Sequence, residues 1–451
     1  MDPEFDSASA TSDDASAVKI ALLGFGTVGS SVAKILCERV NTNLRLTHVL
    51  NRNVERKKVD WLPSSVKWTE KIDDVLSSDA EIVVEVMGGL DPTESWIRRI
   101  LSARKSVVTA NKQLIARCGP ELIALAQSMD QQIHFGASVA GGVPVISGLQ
   151  DGLAGDELFK IRGILNGTCN YILSQIEANG IPFATALREA QKLGFAEADP
   201  TDDIDGFDAR AKLAILARVG LHCLVDPESI RARSISAIDA VDFEYASQLG
   251  CTIRQISWAE LKTPESNPSE ARSELMENSK ADDLFAAVQP ALVDLASPLA
   301  RVEGSQNLVV ATGKYGGETV FGGHGAGGNP TAVAVVSDIL AIARSRQPSP
   351  ASAEAPQSAE ETPTVTPEFT AKHYLRFLVK DRPGIIAALA TILSQCGVNI
   401  DTVLQKPGCQ KSHLPFLITL EECNSWQVEQ ALRQINLLDF LVQPCLHLPI
   451  F

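Results

Sequence analysis

One stretch near the amino terminus constrains the fold of this chain more than any other. The apolar run Val18-Lys-Ile-Ala-Leu-Leu23 leads straight into Gly24-Phe-Gly26-Thr-Val-Gly29. A helical stretch follows from Val28 to about Arg39, then a second apolar run at Leu44–Leu50. Strand, turn, helix and strand within about 33 residues is the length of a βαβ unit. The spacing G-x-G-x-x-G is weak evidence alone, but here it follows a strand and opens a helix, which is the context a dinucleotide site requires. Gly24 permits the tight turn, Gly26 lets the backbone approach a pyrophosphate, and Gly29 lets helix and strand pack closely. Thr27 and Val28 open the helix, whose amides and positive dipole end face the phosphates.

Alternation continues beyond this unit. Residues 81–87, 106–109 and 132–135 read as strands, and 93–104 and 120–128 as helices. Strands alternating with helices predict a Rossmann-like, doubly wound parallel sheet over 18–150. Over 151–324 the order changes. Helical stretches at 170–179, 183–193 and 208–219 precede strand-like pieces at 252–258, 308–312 and 318–321, which suits an α+β domain. Polar 264–280 reads as a surface excursion, and Pro-, Ala- and Ser-rich 346–368 as a flexible linker. Residues 1–17 read as a disordered tail or cloning scar. Over 369–451 the elements run βαββαβ, the ferredoxin-like arrangement.

Composition narrows the function classes. Forty Lys and Arg against 55 Asp and Glu leave a formal charge of −15, which argues against nucleic acid or an anionic membrane as partner. No apolar run approaches the roughly 20 residues of a membrane span. Nine scattered cysteines form no C-x2-C pair and read as reduced thiols of a cytoplasmic protein.

The end of the second strand bears on which dinucleotide binds. NAD sites place an acid there for the ribose 2′-hydroxyl, but this chain has Leu50-Asn-Arg-Asn53 followed by Glu55-Arg-Lys-Lys58. Arg52 and Lys58, with Arg56 and Lys57, suit a 2′-phosphate. NADP(H) is favoured, with NAD(H) the alternative, and a merely solvated basic loop is the plain reading.

Six acids crowd 197–208: Glu197, Asp199, Asp202, Asp203, Asp205 and Asp208. Such runs are usually solvated turns. However, Asp208 and Lys212 are four residues apart at the start of an apolar helix and share one face. A carboxylate holding a lysine ammonium suits a carbonyl reductase, in which charge develops on oxygen as hydride reaches carbon. Neighbouring acids such as Asp203 suit a substrate ammonium group.

Residues Ala190 to Lys212 match, without a mismatch, the signature Ala-x3-Gly-…-Asp-Pro-x2-Asp-Ile-x-Gly-x-Asp-x3-Lys of the homoserine dehydrogenase family. The resemblance extends to Thr109-Ala-Asn-Lys-Gln113, Ala137–Pro144, Leu165-Asn-Gly-Thr168 and Gly323–Thr331, and so covers 18–345. Residues 373–451 resemble an ACT regulatory domain. The resemblance implies reversible reduction of L-aspartate 4-semialdehyde to L-homoserine in threonine and methionine biosynthesis. It gives Lys212 the proton at the substrate oxygen, with Asp208 orienting substrate and Glu197 holding its amino group. Lys112 would lie near nicotinamide and substrate, and Gly167 and Thr168 would form part of the site wall. Gly325 would touch the cofactor, with about 325–345 completing the nucleotide domain.

The family also has a monovalent cation site, commonly sodium, whose backbone carbonyls would here come from Val139, Gly141 and Val143. Gly136 departs from the acid usual in relatives. The ACT resemblance implies an amino-acid effector, L-threonine foremost, and the family implies a homodimer or homotetramer. Two alternatives stay open: another ACT-bearing Rossmann oxidoreductase, or a catalytically silent NADP or amino-acid sensor.

Overall fold

A computed structural model of the chain describes residues 17–38, 43–262, 283–345 and 362–451. The polar excursion at 264–280, nearly all of 1–17 and most of 346–368 lie outside the described residues. The described chain divides into two compact units. One runs to Ala154 and resumes at Gly323, and the other holds Gly155–Gly322 and the carboxy-terminal segment.

The first unit is a six-stranded parallel sheet built from β1 (Val18–Leu23), β2 (Leu44–Leu50), β3 (Lys67–Thr69), β4 (Ile82–Glu85), β5 (Ser106–Thr109) and β6 (Ile133–His134). Their order is β3-β2-β1-β4-β5-β6. Strand order reverses between β1 and β4, and in open parallel sheets ligands bind at that reversal, beyond the carboxyl ends of the strands. Ile20 to Leu23 and Ile82 to Glu85 are buried, as expected of strands covered on both faces. On one face Val32 and Leu36 of the helix Thr27–Glu38 pack with Val335, Val336 and Ile339 of the helix Gly328–Ser345. On the other face Ile97, Leu101, Leu114 and Leu122 supply the core.

The second unit is a mixed sheet. It contains β7 (Leu158–Ile164), β8 (Arg231–Ala232), β9 (Cys251–Leu261), β10 (Leu284–Asp294), β11 (Gln306–Gly313), β12 (Gly317–His324), β13 (Val365–Thr366), β14 (Thr370–Val379), β15 (Ile400–Gln405), β16 (Leu414–Asn424) and β17 (Leu446–Ile450). The main path is β12-β11-β7-β9-β10-β17-β14-β16-β15, with β8 and β13 against β10. Its last four strands, with the helices Ile385–Gln395 and Ser425–Ile435 packed through Leu389, Leu393, Val428 and Ile435, form the βαββαβ module.

The two parts of this sheet are continuous, although the polar segment between them reads as a linker. Leu292 of β10 pairs with Ile450 of β17, and Phe451 exchanges backbone hydrogen bonds with Leu292 and Asp294 at 2.9 and 3.0 Å. The rings of Trp258, Phe285, Phe369 and Phe451 pack edge to face or tilted beside this junction. A buried charge also crosses it. Asp242, on the helix Ala240–Gln248, accepts from Tyr374 Oη at 2.7 Å and Arg376 Nε at 2.6 Å.

His373 and His447 pack together in the same module, 2.9 Å from Nδ1 of the first to Nε2 of the second. Burial lowers the His373 pKa to about 4 and holds His447 well below the ordinary value. The unfolded chain therefore binds protons between roughly pH 6.5 and 4 that the folded chain refuses, so stability falls as pH drops through that window. For His373 alone this is about 3 kcal/mol. Urea midpoints should fall over that range, and His373→Asn should flatten the slope. An unchanged slope would mean that other groups govern the acid limb.

Candidate active site

The glycine turn is shaped by close approach. Gly24 takes φ +99°, and a Cβ on Gly29 would stand 2.1 Å from the carbonyl oxygen of Gly24. At Gly26 a Cβ would meet nothing within 4 Å, which leaves the backbone open to a ligand phosphate. Thr27 and Val28 begin the helix Thr27–Glu38. Asn51, just past β2, accepts from the Phe25 amide at 3.0 Å, so a carboxamide occupies the strand end where a carboxylate would mark NAD. Arg52 and Lys58 flank the short helix Val54–Lys57. Both are exposed, as are Arg56 and Lys57, and none of the four has an ion pair among the described residues.

Beyond β4 lies a polar network not anticipated from the sequence. Glu85 is fully buried and accepts from the amides of Met87 and Gly88 at 2.7 and 3.0 Å and from Thr109 Oγ1 at 2.5 Å. Burial pushes its carboxyl above the ordinary range. Asn111 donates to Gly89 O at 2.6 Å and caps the helix Lys112–Ser128, which sets Lys112 at the helix start, past the end of β5. An acid closing the apolar strand 82–85 was the available signal.

Val139, Gly141 and Val143 lie on a buried double turn in which Ala140 and Gly141 both adopt positive φ. The Val143 carbonyl accepts from the Val145 amide at 2.8 Å. A Cβ on Gly141 would stand 2.5 Å from Gly325 O, and the Gly142 amide donates to His324 O, so the Gly323–Gly327 return runs against this turn. Gly136 is met by Asp338 from 202 residues away. Its Oδ2 accepts from the Gly136 amide at 2.8 Å, and burial lifts the carboxyl to about 7. No three His, Cys, Asp or Glu side chains gather into a metal cluster among the described residues.

In the second unit the helix Phe207–Leu221 is apolar nearly all round, burying Leu213 to Ala217. Its polar exceptions therefore face a partner. Lys212 Nζ donates to Asp208 Oδ2 at 2.7 Å and to Leu165 O at 2.8 Å, and their side chains are 14% and 10% exposed. Asn166 Nδ2 bridges Asp203 Oδ1 at 2.6 Å and Asp208 Oδ2 at 3.0 Å. Its Oδ1 accepts from the Cys169 amide and so caps the helix Gly167–Asn179. Burial raises the Asp203 carboxyl, against the pull of the Asn166 hydrogen bond and with the push of Asp208. Lys212, Asp208, Asp203 and Asn166 thus form one network, and Gly167 and Thr168 start the adjoining helix. Glu197 lies apart on the exposed loop before Pro200. That loop is tied to the network through Thr168 Oγ1, which donates to Phe195 O at 2.7 Å.

Comparison with known proteins bears on these arrangements directly. Residues 24–136 match the family model "Homoserine dehydrogenase, NAD binding domain", 144–340 match "Homoserine dehydrogenase", and 373–436 match "ACT domain". The homoserine dehydrogenase of Bacillus subtilis is 38% identical over 400 residues, covering 87% of this chain and 88% of that one. The chain belongs to the homoserine dehydrogenase family.

The Synechocystis homoserine dehydrogenase is 36% identical over 446 residues, covering 94% of this chain and 96% of its own. The crystal structure of a homoserine dehydrogenase from Thiobacillus denitrificans superposes with a TM-score of 0.84 at 31% identity, covering 96% of this chain and 98% of that one. A hyperthermophilic archaeal homoserine dehydrogenase solved in complex with NADPH gives 0.59 at 27% identity, covering 73% of this chain and 98% of that one. This family member is therefore an oxidoreductase of amino-acid biosynthesis with a nicotinamide-dinucleotide domain and an ACT domain. No helix among the described residues is long and apolar enough to cross a membrane, and all nine cysteines are free.

Proposed function

We propose that this chain interconverts L-aspartate 4-semialdehyde and L-homoserine with NADP(H), and that Lys212 carries the proton at the substrate oxygen. The observation behind this reading is the Lys212 ammonium itself. Two of its three N–H groups are taken by Asp208 and Leu165 O, and the third remains for a substrate oxygen.

A bound nicotinamide supplies or takes up the hydride. The chain's own groups do the rest. The Lys212 ammonium donates to the carbonyl oxygen, stabilises the charge that develops there and delivers the proton; in the oxidation direction the proton returns to Nζ. Asp208 holds Nζ in place, and Asn166 fixes Asp208 and Asp203 relative to each other. Asp203 and Glu197 are the carboxylates for the substrate ammonium, with Gly167 and Thr168 as wall and Lys112 near the nicotinamide. The open approach at Gly26 and the helix start at Thr27 and Val28 fit a pyrophosphate, and Gly325 borders that domain's return.

Arg52 and Lys58, exposed and without ion pairs among the described residues, suit the 2′-phosphate. A monovalent cation, sodium foremost, fits the Val139 and Gly141 carbonyls, which accept no hydrogen bond among the described residues, with Val143 the third. The ACT module supports amino-acid control, with L-threonine the first effector to assay, and the nine free thiols support a cytoplasmic setting.

The cofactor assignment is tested by Arg52→Ala with Lys58→Ala. Steady-state kinetics should show KM for NADP+ rising about tenfold, as expected for charge-assisted contacts, with kcat and the NAD+ kinetics little changed. An equal loss with both cofactors would remove these side chains from the 2′-phosphate.

A further inference from the structure

The second unit contains a cavity of about 910 Å³ that neither the glycine turn nor the Lys212 network uses. Its walls come from the segment 231–239, which begins with β8, from residues 182–184, and from the ACT module through Arg376, the helix Ser425–Ile435 and the 443–447 segment. A smaller cavity of about 280 Å³ shares Arg231, Glu429 and Arg433 with it. These three charged side chains therefore stand between two concave spaces.

Positive charge dominates here on a chain of formal charge −15. Arg231 and Arg233 both donate to the single oxygen Glu429 Oε1, at 2.5 and 3.0 Å. Arg433 lines both cavities, is exposed, and has no hydrogen bond or ion pair among the described residues. Glu429 thus sits among three guanidinium groups on the larger cavity, and Glu368 adds a second acid on the smaller one. The other acid on the larger cavity's wall, Asp239, is engaged in capping the helix Ala240–Gln248, its Oδ1 accepting from the Ala240 amide at 2.8 Å. Arg376 adds no free charge, because Asp242 neutralises it. Burial and the neighbouring Arg231 lower Arg233 to about 10, so it remains charged at neutral pH.

The rest of the lining is consistent with a ligand that has a body as well as a charge. Phe183, Ile238, Leu432 and Leu446 supply apolar wall. His447 lines the cavity and is more than nine-tenths buried. His373 Nε2 donates to Cys423 O, so its Nδ1 accepts from His447 Nε2. That tautomer leaves His447 Nδ1 as an acceptor with no partner among the described residues.

We infer that this cavity is a binding site for a small organic anion, held through a carboxylate or phosphate by Arg433, Arg233 and Arg231. The volume falls within the ~300–1,000 Å³ of ordinary ligand pockets, and planar guanidinium groups match both anion types bidentately. Such a ligand touches the catalytic part and the ACT part of the sheet at once, beside the Asp242–Arg376 pair that joins them. The loop Asp381–Gly384 between β14 and the helix Ile385–Gln395 does not line this cavity, and the inference does not depend on the reaction assigned above.

Calorimetric titration of the full chain, saturated with NADPH to occupy the glycine turn, tests this with inorganic pyrophosphate as the phosphate probe and citrate as the carboxylate probe. At least one probe should bind saturably at matched ionic strength; which one binds identifies the anion type. Arg433→Ala should weaken binding roughly tenfold or more, with homoserine oxidation unchanged because Arg433 lies outside the dehydrogenase machinery. Glu429→Gln should tighten it, because the competing carboxylate is removed. Failure of both probes to bind, unchanged affinity in Arg433→Ala, or weaker binding in Glu429→Gln would each overturn the site. So would a change in oligomeric state in Arg433→Ala without probe binding, which would make this face a subunit contact.

Discussion

Lys212→Ala should lower kcat for homoserine oxidation by about a thousandfold, within the 10²–10⁴ that a positioned proton-transfer group contributes, and leave NADPH affinity within about twofold. The expectation follows from where the side chain stands. Lys212 sits with Asp208 on the first two turns of a helix whose other faces are buried in the second unit, while the glycine turn belongs to the first. Removing the ammonium deletes the proton and the charge at the substrate oxygen together. Asp208 and Asp203 keep the Asn166 bridge, so the site retains its shape. Asp208→Asn should cost less, because Leu165 O still holds Nζ at 2.8 Å. If Lys212→Ala turned over within tenfold of the unaltered chain, another group would have to manage the proton.

The second large effect is on stability. Asp242→Asn should destabilise the second unit by about 3–5 kcal/mol, the usual result of removing one partner from a buried ion pair. Asp242 is wholly buried and receives Tyr374 Oη, Arg376 Nε and the Asp239 amide. Asparagine keeps an acceptor for Nε but leaves the Arg376 guanidinium charge buried without its counter-charge, beside the neutral Ala237 O at 3.0 Å. Combining Asp242→Leu with Arg376→Met should recover most of the loss, since well-packed apolar pairs replace buried ion pairs at little cost. Urea unfolding of the three proteins gives the comparison. A loss below about 1 kcal/mol for Asp242→Asn would mean the pair is already well hydrated in the folded chain.

The first unit was largely legible from sequence because its signals are local. Short apolar strands alternate with helices, and Gly24 and Gly29 sit where a tight turn and a close approach require glycine. The Asp208–Lys212 pair was legible for the same reason: four residues on a helix is one face. What escaped was long-range. β10 was missed because both faces are buried and Pro290 interrupts it, so it lacks the alternation that marks a half-exposed strand. β7 was missed beside it, and with them the continuous sheet through Leu292 and Ile450. Gly136 gave no sign that Asp338 would meet it, and Asn166, readable as a plain turn residue, proved to join two carboxylates more than 35 residues away.

The most direct test is the initial rate of NADP+ reduction by the full chain as L-homoserine is titrated, repeated with NAD+. Turnover should be saturable and homoserine-dependent, with a higher kcat/KM for NADP+. Tight NADPH binding with no homoserine oxidation would contradict this expectation and leave the chain a cofactor-binding sensor.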